Sequence, residues 1–509
     1  MINIIFLAFI IFLINGLGAL RYFQIKDWLP KRVLADLYLP QGKNLFLNKK
    51  DLFLIIFSLI FIFWPQLSFK DINQFFLLFL LFILVIWRLK LIKKITLTAK
   101  AFILTSFVLF FNFLIVYLLR NNLNWILFFS VFSFQIFLFF IASYIFNFLV
   151  KPYLNYLGKR VYQKLKGRKI KKIIIVGSYG KSTTKELLAY LLSKKYKVLT
   201  PPLRVNHEYA VLKFLLNKNL EDYEFLVLEL GSYYLGNIAW TTKFIKPDIV
   251  FITGITKQHY FLFDEKIENI IKGEGIEAIE SMKEGKVFVN SNHEYFDLLL
   301  KEIKKENKNL KIITYGKNGD FVYKILENNL EKTIFQINDK EIFETNLIFP
   351  QQIENLTGVL SFVFEENLFS IPEIREIIKK IDLPETFLKP KIKENLIIFD
   401  DSYNANLRGI LVSLDYFFSL PIEKKIIVFN GIFELGKETK EFYKKLKDKF
   451  LLADKVFLTF SGFEDIFFEE KFFYLKNKKE FDEFLKQNKD KKIGIFIFNR
   501  LPEKLKNLI

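Results

Sequence analysis

Cysteine is absent from the 509 residues, and histidine occurs only three times, as His207, His259 and His293. The lack of cysteine excludes disulfide bonds, a thiolate nucleophile and a cysteine-based zinc site. Acidic residues are also scarce in residues 1–150, where Phe, Leu and Ile dominate, whereas Lys, Glu and Asp return at the density of a globular protein from Lys151 onward. The chain is therefore expected to have a membrane half and a globular half.

The formal net charge of +20 raises the question of nucleic-acid binding. The lysines are spread along the chain and interleaved with glutamates, which is not the pattern of a phosphate-binding patch. We therefore expect no nucleic-acid partner. The remaining basic excess suits a protein that lies against anionic membrane lipid.

Five apolar stretches within residues 1–150 are long enough, or nearly so, to cross a membrane as helices. They are residues 2–20, 52–69, 75–92, 102–119 and 125–150. The segments that follow them hold 7, 1, 5, 1 and 9 Lys and Arg residues in turn. Because basic loops stay in the cytoplasm, we predict a multi-pass protein of the cell membrane with its N-terminus outside and its catalytic half in the cytoplasm. These helices serve either as an anchor alone or also to hold a lipid-linked substrate.

A glycine loop follows directly on the apolar run at 171–176, and a helical pattern follows the loop at 185–195. A strand, glycine loop and helix in this order point backbone N–H groups and a helix N-terminus at one place, as a polyphosphate requires. Lys181 can reach the outer phosphates of ATP, and the Ser182 hydroxyl can ligate Mg²⁺. The predicted ATP-binding residues of the loop are Gly177, Ser178, Tyr179, Gly180, Lys181, Ser182 and Thr183. A loop this short also occurs as an ordinary turn before a helix, so nucleotide binding needs support from motifs later in the chain.

Four further motifs follow the loop in order: VNHE at 205–208, ELG at 229–231, a strand that leads to His259, and KGE at 272–274. Their order and spacing resemble the central domain of the Mur ligases of cell-wall synthesis, and among these the D-alanyl-D-alanine-adding type. One departure is Gly254, which stands where the family has an asparagine. A larger one is that the family's N-terminal domain, which binds the UDP-sugar, has no counterpart.

The resemblance implies a catalytic set of Lys181, Glu229, His259 and Lys272. Ser182 and Glu229 would hold one Mg²⁺ ion and His259 a second, while Lys272 matches the lysine that the family carbamylates to make another metal ligand. Independently of the resemblance, Glu229 and His259 each follow an apolar run, which predicts that both lie at the ligand-binding edge of a parallel sheet. The plainer alternatives are a strand-end acid, a solvent-facing histidine and an exposed helical lysine.

Other residues take their expected roles from the same resemblance. Asn206 and His207 match the substrate loop, and Asn355 matches a nucleotide contact. In the last third, strands at 395–400, 425–429, 455–460 and 492–498 alternate with helical segments and predict a Rossmann-like domain. The segments DDSYNAN and GIFELG there resemble family turns that face the cleft between domains. They imply ATP contacts from Asp400 and Asp401 and substrate contacts from Tyr403, Asn404, Asn406 and Glu434.

The expected architecture is an N-terminal α-helical membrane bundle followed by α/β domains. Residues 1–150 would form the transmembrane region, 151–382 a P-loop ATPase domain of the Mur ligase type, and 383–509 a Rossmann-like domain. Two ways of holding the acceptor stay open, because the remaining domains could grip a UDP-linked peptide or the membrane could present a lipid-linked one.

The resemblance implies an ATP-dependent ligase that adds D-Ala-D-Ala, or a similar amino acid or dipeptide, to the peptide carboxylate of a cell-wall precursor through an acyl phosphate. Two alternatives stay open. One is a membrane-bound polymer ligase similar to poly-γ-glutamate synthase, and the other is a degenerate, non-catalytic scaffold.

Overall fold

The chain divides into two compact units, Met1–Tyr153 and Leu154–Ile509. The computed structural model describes residues 31–32, 99–118, 134–306, 309–384, 387–401, 406–432, 435–460, 462–475 and 479–499. The predicted membrane spans at 2–20, 52–69 and 75–92 therefore lie outside the described residues.

Two long helices cover the described part of the predicted membrane region. Helix α1 is Ala99–Leu118, and helix α2 is Phe134–Leu165. The side chain of Lys100 donates a hydrogen bond to Asn147 Oδ1 over 3.2 Å and so connects them. By length and composition, one helix in the described part of the chain, Leu138–Leu165, is apolar enough to cross a membrane. The five-helix bundle stays a prediction.

The last turns of α2 belong to the second unit and pack into its core. Leu157, Val161 and Leu165 are spaced four residues apart, so they share one helix face, and all three are buried in a large apolar cluster. Lys164 donates hydrogen bonds to the carbonyls of Leu215 and Leu216. This segment is therefore built into the globular fold.

The larger sheet of the second unit has nine strands. In chain order they are β1 (Lys171–Val176), β2 (Val198–Leu199), β3 (Phe225–Glu229), β4 (Ile249–Ile252), β5 (Glu284–Asn290), β6 (Asn309–Gly316), β7 (Phe321–Asn328), β8 (Thr333–Ile337) and β9 (Glu341–Thr345). Their order in the sheet is β2-β3-β1-β4-β5-β6-β7-β8-β9. Neighbouring strands pair in parallel from β2 to β7, and β8 is antiparallel to both β7 and β9.

Helices cover both faces of the parallel part of this sheet. They are α3 (Lys181–Leu192), α4 (Glu208–Leu216), α5 (Asn237–Ile245), α6 (Ile267–Glu274), α7 (Phe296–Lys305), α8 (Pro350–Glu365) and α9 (Ile371–Lys379). In β1 the β-branched run alternates between two apolar clusters: Ile174 and Val176 belong to one, and Ile173 and Ile175 to the other. A continuous apolar sequence is therefore required here, because both faces are buried.

The second sheet has six strands and lies at the end of the chain. Its strands are β10 (Pro390–Lys393), β11 (Leu396–Asp401), β12 (Lys424–Phe429), β13 (Lys455–Leu458), β14 (Phe472–Tyr474) and β15 (Ile493–Phe498), and its helices are α10 (Leu407–Ser419), α11 (Thr439–Phe450) and α12 (Lys479–Gln487). The order is β10-β11-β15-β12-β13-β14, parallel except for the edge strand β10. The four predicted strands are confirmed, and the α/β class with parallel sheets is confirmed with them.

Several element predictions need correction. Strand β1 has the predicted bounds. The following helix is Lys181–Leu192, not 185–195, because Gly180 is the N-cap residue and the helix begins directly after it. The edge strands β10 and β14 and the antiparallel extension β7–β9 were not predicted. The domain boundary at 383 stays a prediction.

Candidate active site

The phosphate-type loop joins β1 to α3 at the edge where the parallel strands end. Gly177 and Gly180 have φ angles of +124° and +75°, which only glycine adopts without strain. A Cβ at Gly180 would come within 2.6 Å of Asn355 Oδ1, so Asn355 on α8 lies against the loop, and its nucleotide contact stays a prediction. The Lys181 ammonium donates to the Gly177 carbonyl over 2.5 Å. The loop therefore carries its own cation beside the N-terminus of α3.

Ser182 and Glu229 meet at the ends of adjacent elements. Ser182 Oγ donates to Glu229 Oε2 over 2.8 Å, and Asn206 Nδ2 donates to Glu229 Oε1 over 3.0 Å. Glu229 is the last residue of β3, which pairs in parallel with β1, and only 4% of its surface is exposed. Three of the predicted site residues are thus brought together.

Glu274, which the sequence analysis quoted in the KGE motif but gave no role, reaches the loop from the end of α6. It is buried and accepts a hydrogen bond from Ser178 Oγ. Burial raises the pKa of Glu274, while the nearby charges of Lys181 and His259 lower it. The one signal in the sequence for this contact is that Glu274 lies among apolar residues, because a buried acid is seldom found without a partner.

His259 and Lys272 are the two other predicted metal ligands. His259 adopts a left-handed backbone with φ +60° and contacts the Tyr233 ring edge-on, with ring centroids 5.5 Å apart. Lys272 is exposed on the last turn of α6. Within the described residues, no group of three or more His, Asp and Glu side chains converges as a ready metal site. Ser182 and Glu229 are the joined pair, and the roles of His259 and Lys272 stay predictions.

The structure describes some of the other predicted site residues and not others. Thr183 lies in the first turn of α3, and His207 precedes α4 as an exposed residue. Asp400 and Asp401 end β11, and burial together with the Asp400 charge raises the pKa of Asp401 to about 7. Asn406 caps α10 by accepting a hydrogen bond from the Gly409 backbone N–H. The remaining three, Tyr403, Asn404 and Glu434, lie outside the described residues.

An arginine from the second sheet's first helix reaches the larger sheet's domain, and sequence analysis did not find it. Arg408 donates two hydrogen bonds to Glu354 on α8, from Nη1 over 2.9 Å and from Nη2 over 2.6 Å. Asn290 and Asn292 also donate to the Glu354 carboxylate. The Arg408 guanidinium lies 4.9 Å from the centre of the Tyr179 ring, in the phosphate-type loop. The signal for this contact was Glu354 itself, an acid between the apolar residues Ile353 and Leu356 of α8.

Tyr179 fills space beside the glycine that departs from the family pattern. A Cβ at Gly254 would come within 2.3 Å of Tyr179 Oη, and Gly254 has a φ of +136°. The Tyr179 hydroxyl is buried and has no hydrogen-bond partner among the described residues. The loss of a side chain at 254 is therefore matched by a large side chain at 179.

A second contact joins the two sheet domains at the segment that holds His259. Lys257 forms an ion pair with Glu438 over 3.1 Å, and Glu265 accepts a hydrogen bond from the Lys437 backbone N–H over 3.2 Å. Glu438 and Lys437 follow the GIFELG segment. The turn after that segment thus contacts the domain of the larger sheet, and the role of Glu434 stays a prediction.

Comparison with known proteins agrees with this geometry. The family model for the Mur ligase middle domain matches residues 175–363. This part of the chain is therefore similar to the middle domain of Mur ligases. That region begins in β1 and ends in α8, so it contains the phosphate-type loop, Glu229, His259 and Lys272.

Individual relatives extend the likeness beyond the Mur ligase middle domain. The chain is 28% identical over 371 residues to a UDP-N-acetylmuramoyl-tripeptide--D-alanyl-D-alanine ligase of Borreliella burgdorferi, a match that covers 66% of this chain and 74% of the relative. The fold is similar to that of MurF from Acinetobacter baumannii, with a TM-score of 0.61, 20% identity and coverage of 68% and 77%. It is also similar to MurF from Thermotoga maritima in complex with ADP, with a TM-score of 0.60, 24% identity and coverage of 68% and 80%.

Proposed function

We propose that this MurF-like chain is an ATP-dependent ligase that joins the peptide carboxylate of a UDP-N-acetylmuramoyl-tripeptide to the amine of D-alanyl-D-alanine. Curated relatives at 28% and 26% identity carry this activity in their names. The observation that carries the proposal is the Ser182–Glu229 pair beside a lysine-bearing loop, inside a Mur ligase middle domain.

The reaction has two transfers. A carboxylate oxygen of the tripeptide attacks the γ-phosphorus of ATP, and ADP leaves with the electrons of the broken P–O bond. The dipeptide amine then attacks the acyl carbon, the bond from that carbon to the phosphate oxygen breaks, and the amine gives up a proton to solvent. The Lys181 ammonium and the N–H groups at the start of α3 stabilise the charge on the phosphate oxygens.

Ser182 and Glu229 are the residues that would hold Mg²⁺. The donor set fits, because Glu229 is a nearly buried carboxylate whose hydrogen-bond donors, Ser182 and Asn206, are both neutral. A buried anion with neutral neighbours is costly unless a cation compensates it. When bound there, Mg²⁺ neutralises phosphate charge.

A second metal site belongs to the proposal through His259 and Lys272. The Coulombic interaction of His259 with Glu274 supports its position at the phosphate side of the sheet. Lys272 is exposed, so its amine is open to carbon dioxide and could become a carbamate, a carboxylate-like ligand.

The nucleotide and substrate contacts are assigned as the sequence predicted. Asn355 supports a nucleotide contact, because its Oδ1 is buried beside Gly180 and lacks a hydrogen-bond partner in the described part of the chain. Asp400 and Asp401 complete the assigned ATP contacts. The assigned substrate contacts are Asn206, His207, Tyr403, Asn404, Asn406 and Glu434.

The membrane region is part of the proposal as an anchor. We assign the chain to the cell membrane, with several spans, the N-terminus outside and the ligase in the cytoplasm where ATP is available. Support comes from the apolar helix Leu138–Leu165, whose last turns are buried in the globular core. Confinement to the membrane plane would favour a lipid-linked acceptor if the UDP-linked one is not used.

The test is ADP release by the full chain in detergent with Mg²⁺, bicarbonate, ATP, UDP-N-acetylmuramoyl-tripeptide and D-Ala-D-Ala, with each substrate omitted in turn. We expect ADP release that requires both the tripeptide and the dipeptide, and one new amide bond per ADP. A Lys181→Ala variant is the control for contaminating ATPases.

Other outcomes would assign the chain differently. Turnover with a lipid-linked acceptor alone would keep the ligase and replace its acceptor. Turnover with repeated addition of one amino acid would support the polymer ligase. A well-folded chain that binds no nucleotide would contradict the proposal and support the non-catalytic scaffold instead.

A further inference from the structure

Arg408 makes a contact that the proposed reaction does not use. It lies in the first turn of α10, in the domain of the second sheet, yet its partners lie in the domain of the first. It pairs with both oxygens of Glu354, whose side chain is only 4% exposed, and its guanidinium lies over the Tyr179 ring. One side chain therefore bridges the second domain to both the core and the phosphate-type loop of the first.

Arg408 is the cation that compensates the Glu354 carboxylate. The other groups that donate to its carboxylate are the neutral amides of Asn290 and Asn292. Among the ion pairs of the described residues, Arg408 is the one cation joined to Glu354. Removing the second domain would leave a buried carboxylate without a cation, which is costly. Docking of the second domain thus supplies the cation that a buried carboxylate of the first domain needs.

The loop takes part through Tyr179. The Tyr179 ring is held between Gly254 on one side, where a Cβ would collide with it, and the Arg408 guanidinium. The Tyr179 backbone carbonyl accepts a hydrogen bond from Thr253 Oγ1, so the residue is fixed at both ends. Movement of Arg408 would remove one of the contacts that hold Tyr179, one of the two residues between Gly177 and Gly180.

We propose that Arg408 is a positioning residue that couples docking of the C-terminal domain to the nucleotide-binding shape of the phosphate-type loop, residues 177–180. Arg408 holds Tyr179 in place when it is paired with Glu354. Because coupling between two sites is reciprocal, nucleotide binding to the loop in turn favours the docked position of the C-terminal domain. The inference rests on the proposed function only in that the loop binds ATP and ADP.

The first experiment measures ADP binding to the detergent-solubilised full chain by calorimetry. Arg408→Gln should raise the Kd for ADP about fivefold or more. Since this variant leaves Glu354 unpaired, the double variant Glu354→Gln/Arg408→Gln is measured beside it, because two amides can pair without a buried charge. The matched control is Arg375→Gln, which breaks an exposed Arg–Glu pair between α9 and β9. Its Kd should equal that of the unsubstituted chain.

The second experiment measures domain docking directly. Because the chain has no cysteine, Lys301→Cys and Lys444→Cys, two exposed positions on α7 and α11, can be spin-labelled without background. At saturating ADP we expect a narrow distribution of label distances in the parent and a broader one with Arg408→Gln. Tyr179→Leu should broaden it too, and the two substitutions together should change the Kd by less than the product of their separate factors.

The outcomes separate the two proposals. No ADP binding by the unsubstituted chain would overturn the proposed function and this inference with it. If the chain binds ADP, an unchanged Kd and an unchanged distance distribution in both Arg408 variants would overturn the inference alone. Multiplicative effects of Arg408→Gln and Tyr179→Leu would also overturn it, because they would make the two contacts independent.

Discussion

Ser182 Oγ donates a hydrogen bond to Glu229 Oε2 over 2.8 Å, and so joins the first turn of α3 to the end of β3. The sequence places 46 residues between the two, yet the parallel pairing of β1 with β3 brings them side by side. The Glu229 carboxylate in this pair needs a compensating cation, because it is buried and its hydrogen-bond donors are neutral.

Glu229→Gln should weaken Mg²⁺-dependent ADP binding at least about tenfold, because the substitution removes the charge and keeps the size of the side chain. Without metal and nucleotide, the free energy of unfolding should stay level or rise, since an uncompensated buried charge is lost. Thermal melts with and without Mg²⁺ and ADP check both parts. Exposed Glu224→Gln is the control, and a large loss of stability in the ligand-free Glu229→Gln protein would contradict the account.

Lys181→Ala should lower ATP turnover about 10²-fold or more while the fold stays intact. The ammonium is the cation that the loop itself supplies, and its hydrogen bond to the Gly177 carbonyl is replaceable by water. ADP release and circular dichroism are the measurements, with Lys194→Ala, an exposed lysine just after the same helix, for comparison. Turnover at the parent rate would remove Lys181 from the site.

Gly254→Ala should destabilise the chain by roughly 2–4 kcal/mol, through backbone strain at φ +136° and collision with Tyr179. Adding Tyr179→Ser should restore the part due to the collision and leave the part due to strain. Urea unfolding of the two single variants and the double variant measures the coupling. Strictly additive losses would show that the two residues do not compete for the same space.

Asp401 makes the stability of the C-terminal domain depend on pH. Its pKa is raised from 3.8 to about 7 by burial and by Asp400, so the folded state binds the proton more tightly than the unfolded state. The contribution is therefore favourable near pH 4 and is lost as the pH rises through about 7. Asp401→Asn should stabilise the chain at pH 8 more than at pH 5, as melts at the two values would reveal; an equal effect at both would contradict the raised pKa.

Lys272→Ala should abolish most of the ligase activity if Lys272 is carbamylated, and acetate should restore part of it by supplying a free carboxylate. Depletion of bicarbonate should reduce the activity of the parent chain. Lys283→Ala, an exposed lysine outside the KGE motif, is the control. Full activity of Lys272→Ala without added carboxylate would make Lys272 an ordinary exposed lysine.

The sequence predicted the parallel core and the phosphate-type loop because both depend on local patterns. The KKIIIV run carries its own burial signal, and GSYGKSTT carries its own backbone geometry. The closeness of Ser182 to Glu229 followed from the family resemblance, which assigned both residues to one Mg²⁺ ion. The strands β7–β9 were not predicted. A bulge at Ile325/Glu327 interrupts the alternation of β7, whereas buried residues alternate without a break in β8.

The contacts between domains could not be predicted in the same way. Arg408 and Glu354 are 54 residues apart, and no spacing rule connects a helix of one sheet to a helix of another. Glu354 did give a signal, as a charge among Ile353, Leu356 and other apolar residues, but it could not name its partner. Glu274 was in the same position, since the motif that contains it drew attention to Lys272.

The packing of Tyr179 against Gly254 constrains the order in which this loop can evolve. Any side chain at position 254 collides with the tyrosine, so a change there is tolerated only after position 179 has become small. In a chain with a small residue at 179 and a side chain at 254, the change to glycine at 254 must come before the change to tyrosine at 179. The path between the two pairs of residues therefore runs through glycine at 254 with a small residue at 179, and variants rebuilt one residue at a time should be more stable along this path than along the other.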